Sequence, residues 1–171
     1  MITSLIGSVP SPALTLALCV SLVATIGILA RGRRQTDLLA LSPNAFERAV
    51  GAWLARDGWL VEHRGGSGDE GLDLLAFHGD QLVAVQCKRY AATASVTPAQ
   101  VRELYGAAVA VGATVAVMAT TGRVSAASRT WAANLPSDGP QFLFWSAEVL
   151  GTLSSAHVRF RPRGASFGHA L

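Results

Sequence analysis

The stretch 71–90, GLDLLAFHGDQLVAVQCKRY, decides the fold of this chain. Two apolar runs flank a short break between His78 and Gln81, and Gly79 and Asp80 stand at its centre. Gly followed by Asp between two strand-like runs is typical of a two-residue turn in a β-hairpin. The sequence therefore predicts two antiparallel strands that are joined at this turn.

The turn also fixes which residues face one another at the open end of the hairpin. If His78 faces Gln81, counting back along both strands brings Asp73 opposite Gln86. Side chains alternate between faces, so Asp73 and Gln86 are expected to share one face with Lys88. The other face is predicted to carry only apolar residues: Leu72, Leu74, Ala76, Val83, Val85 and Cys87. A strand that is apolar on both faces is normally covered by helices, so polar groups at its end require an explanation.

A carboxylate, an amide and an ammonium are the groups that metal-assisted phosphodiester hydrolysis needs. Carboxylate and neutral oxygens bind a hard cation such as Mg²⁺, which lowers the pKa of bound water. An ammonium beside them orients the water or stabilises developing charge. The alternative is an ordinary ion pair between Asp73 and Lys88 with Gln86 as a hydrogen-bonded neighbour. The hairpin alone leaves both interpretations open.

Three short motifs in a fixed order resemble the catalytic domain of the Mrr-like restriction endonucleases, a branch of the PD-(D/E)xK nuclease superfamily. They are AFE at 45–47, GDEGLD at 68–73 and QCKRY at 86–90. The resemblance covers roughly residues 42–153. It implies an α/β restriction-endonuclease-like fold, with a mixed β-sheet flanked by helices, and hydrolysis of DNA that depends on Mg²⁺, with Mn²⁺ as a substitute.

The resemblance also implies a role for each site residue. Asp73, Gln86, the Cys87 backbone carbonyl and Glu47 would bind the metal, and Lys88 would be the catalytic lysine. Gln86 stands where most of the superfamily has an acid, although Gln is a common form in the Mrr-like branch. From the helical pattern alone, Glu47 lies at the border of an apolar stripe and is either turned into the site or exposed.

An apolar segment precedes this domain. Residues 13–30, ALTLALCVSLVATIGILA, carry no charge, and as a helix they would be about 27 Å long, close to the thickness of a bilayer core. No basic residue precedes the segment and Arg31, Arg33 and Arg34 follow it, which disfavours a cleaved signal peptide. By the positive-inside rule we expect a single-pass protein of the cell membrane with a cytoplasmic catalytic domain.

Cap signals and apolar periodicity divide the remaining chain into elements. Helices are predicted to begin after the caps Ser42 and Thr97 and to occupy 125–135 and 146–153, and strands are predicted at 59–63, 114–118 and 142–145. Their alternation predicts parallel crossovers and a mixed sheet. The expected segments are 1–12 (N-terminal), 13–30 (transmembrane helix), 31–41 (basic linker), 42–153 (endonuclease domain) and 154–171 (basic, disordered tail).

The charge of the chain does not by itself support DNA binding. The formal net charge is +3, but eight of the 14 basic residues and ten of the 11 acidic residues lie between residues 38 and 158. Contacts with DNA phosphates must therefore be local, and the candidates are Arg64, Arg89, Arg102 and Arg123. DNA, the membrane and a second copy of the chain are the expected partners. The alternative function is a catalytically silent nucleic-acid-binding module of the same fold at the membrane.

Overall fold

The computed structural model describes residues 38–64 and 71–153, together with Ser21. The predicted transmembrane helix at 13–30, apart from Ser21, and the predicted tail at 154–171 lie outside these residues. Within the described residues, no helix has the length and apolar character needed to span a bilayer.

Helices and strands follow one another in the predicted order. The helices are α1 (Pro43–Arg56), α2 (Pro98–Ala110), α3 (Ala126–Ala133) and α4 (Ala147–Leu153). The strands are β1 (Leu60–His63), β2 (Leu74–His78), β3 (Gln81–Lys88), β4 (Ser95–Val96), β5 (Val115–Thr120), β6 (Arg123–Val124) and β7 (Gln141–Trp145). Ser42, Thr97 and Ser125 each cap a helix by accepting a backbone N–H with the side-chain hydroxyl.

Five strands form one mixed sheet in the order β1-β2-β3-β5-β7. The first three strands are antiparallel, and β3, β5 and β7 are parallel because helices connect them. The predicted hairpin is confirmed, since His78 pairs with Gln81 and Gly79 has a φ of +60°. A second, two-stranded parallel sheet of β4 and β6 was not predicted.

β3 lies at the centre of the sheet, and helices cover both of its faces. Helix α1 packs on one face through Phe46 and Val50, and α2 packs on the other through Val101 and Leu104. All four side chains are fully buried, and burial of each stabilises the fold by roughly 1.5–3 kcal/mol. The two apolar faces predicted for the hairpin are thus explained by two helical layers.

One residue of the hairpin departs from the predicted alternation. Leu72 packs on the α2 face with Leu75, whereas Leu74 packs on the α1 face. The Asp73 N–H donates to the Val85 carbonyl at 2.9 Å, although Val85 is already the partner of Leu74. Two consecutive residues against one form a β-bulge, so two predictions are wrong: Leu72 and Leu74 do not share a face, and Asp73 is not paired opposite Gln86. Asp73 lies where the regular pairing stops.

Substitution by Ala at two glycines is expected to change the stability of the fold in opposite directions. A Cβ at Gly122 would lie 2.6 Å from the Ala94 carbonyl oxygen and 2.8 Å from the Tyr90 Cβ, whereas a Cβ at Gly106 in α2 would meet nothing within 4 Å. We expect Gly122→Ala to lower the free energy of unfolding by about 1–3 kcal/mol, because the backbone must move. Gly106→Ala should raise it by about 0.5–1 kcal/mol. Urea denaturation measures both changes, and shifts of the same sign would contradict the packing described.

Candidate active site

The end of the β2–β3 ladder is completed by a side chain instead of by backbone. Asp73 Oδ2 accepts a hydrogen bond from the Cys87 N–H at 2.5 Å, and the Asp73 carbonyl accepts one from the Arg64 N–H at 2.9 Å. The N–H and C=O of one strand residue point in the same direction, so the Cys87 carbonyl is also directed towards the side on which Asp73 lies. A carboxylate and a main-chain carbonyl are therefore available on one side of β3.

A second carboxylate, Glu47 of α1, reaches the same region. Its side chain is 21% exposed and its Oε1 lies 3.4 Å from Nδ1 of His63. The pKa of the Cys87 thiol is raised, first by burial and then by the negative charges of Asp73 and Glu47. Since both charges act on one thiol, both carboxylates lie near it, and the thiol stays protonated at neutral pH. Glu47 is thus partly buried beside His63 and near enough to Cys87 to affect its thiol, and its role as a metal ligand stays a prediction.

Gln86 and Lys88 follow each other along β3, with Cys87 between them. Gln86 is 2% exposed, and among the described residues its Oε1 has no hydrogen-bond partner. An unpaired buried oxygen costs about 1–3 kcal/mol, so native proteins keep few of them and often use them for a ligand. Lys88 is partly buried, and its ammonium forms no ion pair within residues 38–64 and 71–153.

Two buried threonines of β5 and the turn after it hold the chain that follows the site. Thr120 Oγ1 donates to the Lys88 carbonyl at 2.9 Å. Thr121 Oγ1 donates to the Tyr90 carbonyl at 2.7 Å and accepts from the Tyr90 N–H at 2.9 Å. The sequence prediction gave residues 120–122, Thr-Thr-Gly, no role beyond ending a strand. The two hydroxyl groups are the feature that could have indicated a structural role beside Lys88.

The four arginines predicted to contact phosphates differ in their surroundings. Arg89 donates from Nε to the Leu41 carbonyl at 2.7 Å and from Nη2 to the Leu39 carbonyl at 3.0 Å. Its guanidinium thus joins the end of β3 to the residues before α1. Because Arg89 is engaged within the domain, it is not among the DNA contacts proposed below. Arg64, Arg102 and Arg123 are exposed, so their side chains are accessible to a phosphate backbone.

The chemistry of the donor atoms at this site determines which metal ion they would suit. No group of three or more His, Cys, Asp or Glu side chains that could bind a metal occurs in the described ranges 38–64 and 71–153. The oxygen donors at the end of β3 are the Asp73 and Glu47 carboxylates near the Cys87 thiol, the Cys87 carbonyl, and the buried amide oxygen of the adjacent Gln86. All are oxygens, which suit Mg²⁺ or Mn²⁺ and not zinc. The residues present therefore fit a hard divalent cation.

Comparisons with known proteins agree with this fold. A family model described as restriction endonuclease, Mrr_cat, matches residues 38–141. The search of curated proteins gives no match. Among solved structures, the DNA modification-dependent restriction endonuclease AspBHI is 18% identical with a TM-score of 0.51, over 71% of this chain and 35% of that chain.

A second solved structure that is similar to this chain is the MspJI restriction endonuclease in complex with a 27-mer oligonucleotide. It is 19% identical with a TM-score of 0.43, over 89% of this chain and 34% of that chain. The chain thus spans about a third of the length of both proteins. At these identities the likeness to AspBHI concerns the fold alone.

The bonds of Arg89 lead to a testable expectation for stability. Arg89→Ala removes two hydrogen bonds from a charged donor and leaves the carbonyls of Leu39 and Leu41 without it, so the free energy of unfolding should fall by about 1.5–3 kcal/mol. Arg102→Ala, at an exposed position of α2, is the control and should change it by less than about 0.5 kcal/mol. Chemical denaturation compares the two variants. An Arg89→Ala variant as stable as the control would show that these bonds contribute nothing.

Proposed function

The chain belongs to the Mrr family of restriction endonucleases, whose model matches residues 38–141, and from that premise we propose that it is a Mg²⁺-dependent deoxyribonuclease. The observation that carries the proposal lies at the end of β3. There the Asp73 carboxylate is bonded to the Cys87 N–H, and the adjacent Gln86 has a buried oxygen without a partner among the described residues. This arrangement offers oxygen ligands beside a lysine.

Each residue of the site has a defined role in the proposal. Asp73 and Glu47 would supply negative charge, and Gln86 and the Cys87 carbonyl would supply neutral oxygens, to a divalent cation. Such a cation would lower the pKa of a bound water and neutralise charge on the phosphate. Lys88 would orient the attacking water and stabilise the charge that develops on the phosphoryl oxygens. Thr120 of β5 keeps the main chain of Lys88 in place, and Thr121 does the same for Tyr90.

DNA would be bound through its phosphates at exposed arginines. Arg64 precedes the glycine-rich sequence 65–71, Arg102 lies on α2 and Arg123 on β6. The domain as a whole carries more acidic than basic residues, so attraction comes from these few contacts and weakens with salt. One such site hydrolyses one strand, and we therefore propose that two copies of the chain act together on a duplex.

The catalytic proposal is tested by two substitutions. Lys88→Ala should lower the rate of plasmid cleavage in Mg²⁺ at least about 100-fold, because it removes a preorganised donor to the developing charge. Asp73→Asn should weaken Mn²⁺ binding, measured by titration calorimetry, while its amide oxygen can still accept the Cys87 N–H and preserve the fold. Plasmid, linear and single-stranded DNA, each with and without EDTA, are the substrates.

Arg48→Ala, at an exposed position of α1, is the matched control and should cleave at the wild-type rate. Cleavage by Lys88→Ala at that rate would remove Lys88 from the mechanism. If the wild-type chain bound DNA but cut none of the three substrates in either metal, the silent binding module would be the better description. The ratio of nicked to linear plasmid reports whether two copies cut together.

We also propose that the apolar segment 13–30 anchors the chain in the cell membrane, with the nuclease domain on the cytoplasmic side. The proposal rests on the uncharged length of the segment and on the three arginines that follow it. The full chain should remain in the membrane fraction after a high-salt wash and be released by detergent. Deletion of residues 13–30 should move it to the soluble fraction.

A triple substitution of Arg159, Arg161 and Arg163 to Ala separates insertion from electrostatic attachment, because it discharges the tail and leaves the apolar segment intact. This variant should stay with the membrane. Its release by the salt wash would attribute the attachment to the tail, and a full chain in the soluble fraction would refute the anchor.

A further inference from the structure

We propose that Glu103 of α2 is a positioning residue for Gln86. Its carboxylate lies on the side of the Gln86 amide that carries Nε2, and a hydrogen bond from Nε2, direct or through one water, would direct Oε1 towards the metal ligands. This inference rests on the proposed function of the site, which it deepens by explaining how a neutral amide serves where an acid would otherwise stand. Neither the motifs nor the spacing of the sequence pointed to Glu103.

The side chains of Glu103 and Gln86 both approach Gly71, which precedes the hairpin. A Cβ at this position would lie 3.2 Å from Glu103 Oε1 and 3.5 Å from Gln86 Nε2. Gly71 has a φ of +80°, which residues with a side chain rarely adopt. Glycine thus leaves open a small space that both polar ends approach. A carboxylate oxygen and an amide nitrogen are neighbours there across the boundary between α2 and β3.

The chemistry of the two groups decides how the amide is oriented. A carboxylate is only an acceptor, so it favours the NH₂ end of Gln86 and disfavours the oxygen end. With Nε2 turned towards Glu103, Oε1 is turned away from it, and this is the oxygen that is buried with no partner among the described residues. The orientation that satisfies Glu103 is therefore the one that presents an oxygen to a cation.

Glu103 is free to serve this role. The residue is exposed on α2, next to the buried Leu104 that fixes the helix against the sheet. Within residues 38–64 and 71–153, its carboxylate forms no ion pair and no hydrogen bond. A small rotation of this long side chain, or one bridging water, joins it to Gln86 Nε2. Outer groups of this kind orient metal ligands in many sites.

The test measures Mn²⁺ binding to the full chain in detergent by titration calorimetry, without DNA. Glu103→Ala should weaken binding about tenfold, in the range known for the loss of an orienting partner. Glu103→Gln should retain most of the wild-type affinity, because its amide oxygen can still accept from Gln86 Nε2. In a Gln86→Ala background, Glu103→Ala should have no further effect, since the group that it orients is absent. Glu148→Ala, a substitution on α4, is the matched control and should bind as the wild type does.

Each other outcome overturns the inference in a recognisable way. If Glu103→Gln loses as much affinity as Glu103→Ala, the charge of Glu103 matters and it acts as a ligand. If Glu103→Ala binds Mn²⁺ normally while Asp73→Asn does not, the metal site stands and only the role of Glu103 fails. If the wild-type chain shows no Mn²⁺ binding that depends on Asp73, the proposed function fails together with this inference.

Discussion

The hydrogen bond from the Cys87 N–H to the Asp73 carboxylate is the interaction on which the site depends. It replaces a rung of the β2–β3 ladder by a charged side chain at the point where the bulge ends regular pairing. Charged acceptors make stronger hydrogen bonds than neutral ones, so this bond fixes the carboxylate against the main chain. Among the described residues, the β2–β3 pairing ends at Leu74 and Val85, so the Cys87 carbonyl has no strand partner there. The geometry that stops the ladder would thus supply two of the proposed ligands.

The amide at Gln86 is best understood through the charges around it. Asp73 and Glu47 already place two negative charges near Cys87, where they raise the pKa of its thiol. A third carboxylate at a position that is only 2% exposed would be desolvated and repelled by both. Glutamine keeps the oxygen and removes this repulsion, at the cost of weaker attraction for a cation. A neutral ligand needs its orientation fixed by a neighbour, whereas either oxygen of a carboxylate would serve.

The sequence predicted the hairpin and the sheet because local rules govern them. Gly79 and Asp80 fix the turn, and the turn fixes the register of the pairs from His78–Gln81 to Leu74–Val85. Ser42 and Thr97, each followed by Pro, indicate two helices by the caps that they form. The face of Leu72 could not be predicted, because a bulge changes the alternation without a distinctive residue. The role of Arg89 and the position of Glu103 depend on contacts between elements far apart in the chain, and no spacing rule encodes such contacts.

The two carbonyls bound by Arg89 also determine where the polypeptide leaves the nuclease domain. Residues 39 and 41 are held beside the end of β3, so the path towards the proposed anchor would start next to the proposed active site. Leu38 is still buried in the core, which leaves residues 31–37 between the domain and the apolar segment, and such a length of chain spans at most about 25 Å. With the anchor in place, cleavage would be confined to a layer a few nanometres deep beneath the lipid headgroups. Anionic headgroups repel the nucleic acid electrostatically only within about 8–10 Å, so a tether of this reach would let the duplex approach just outside that zone.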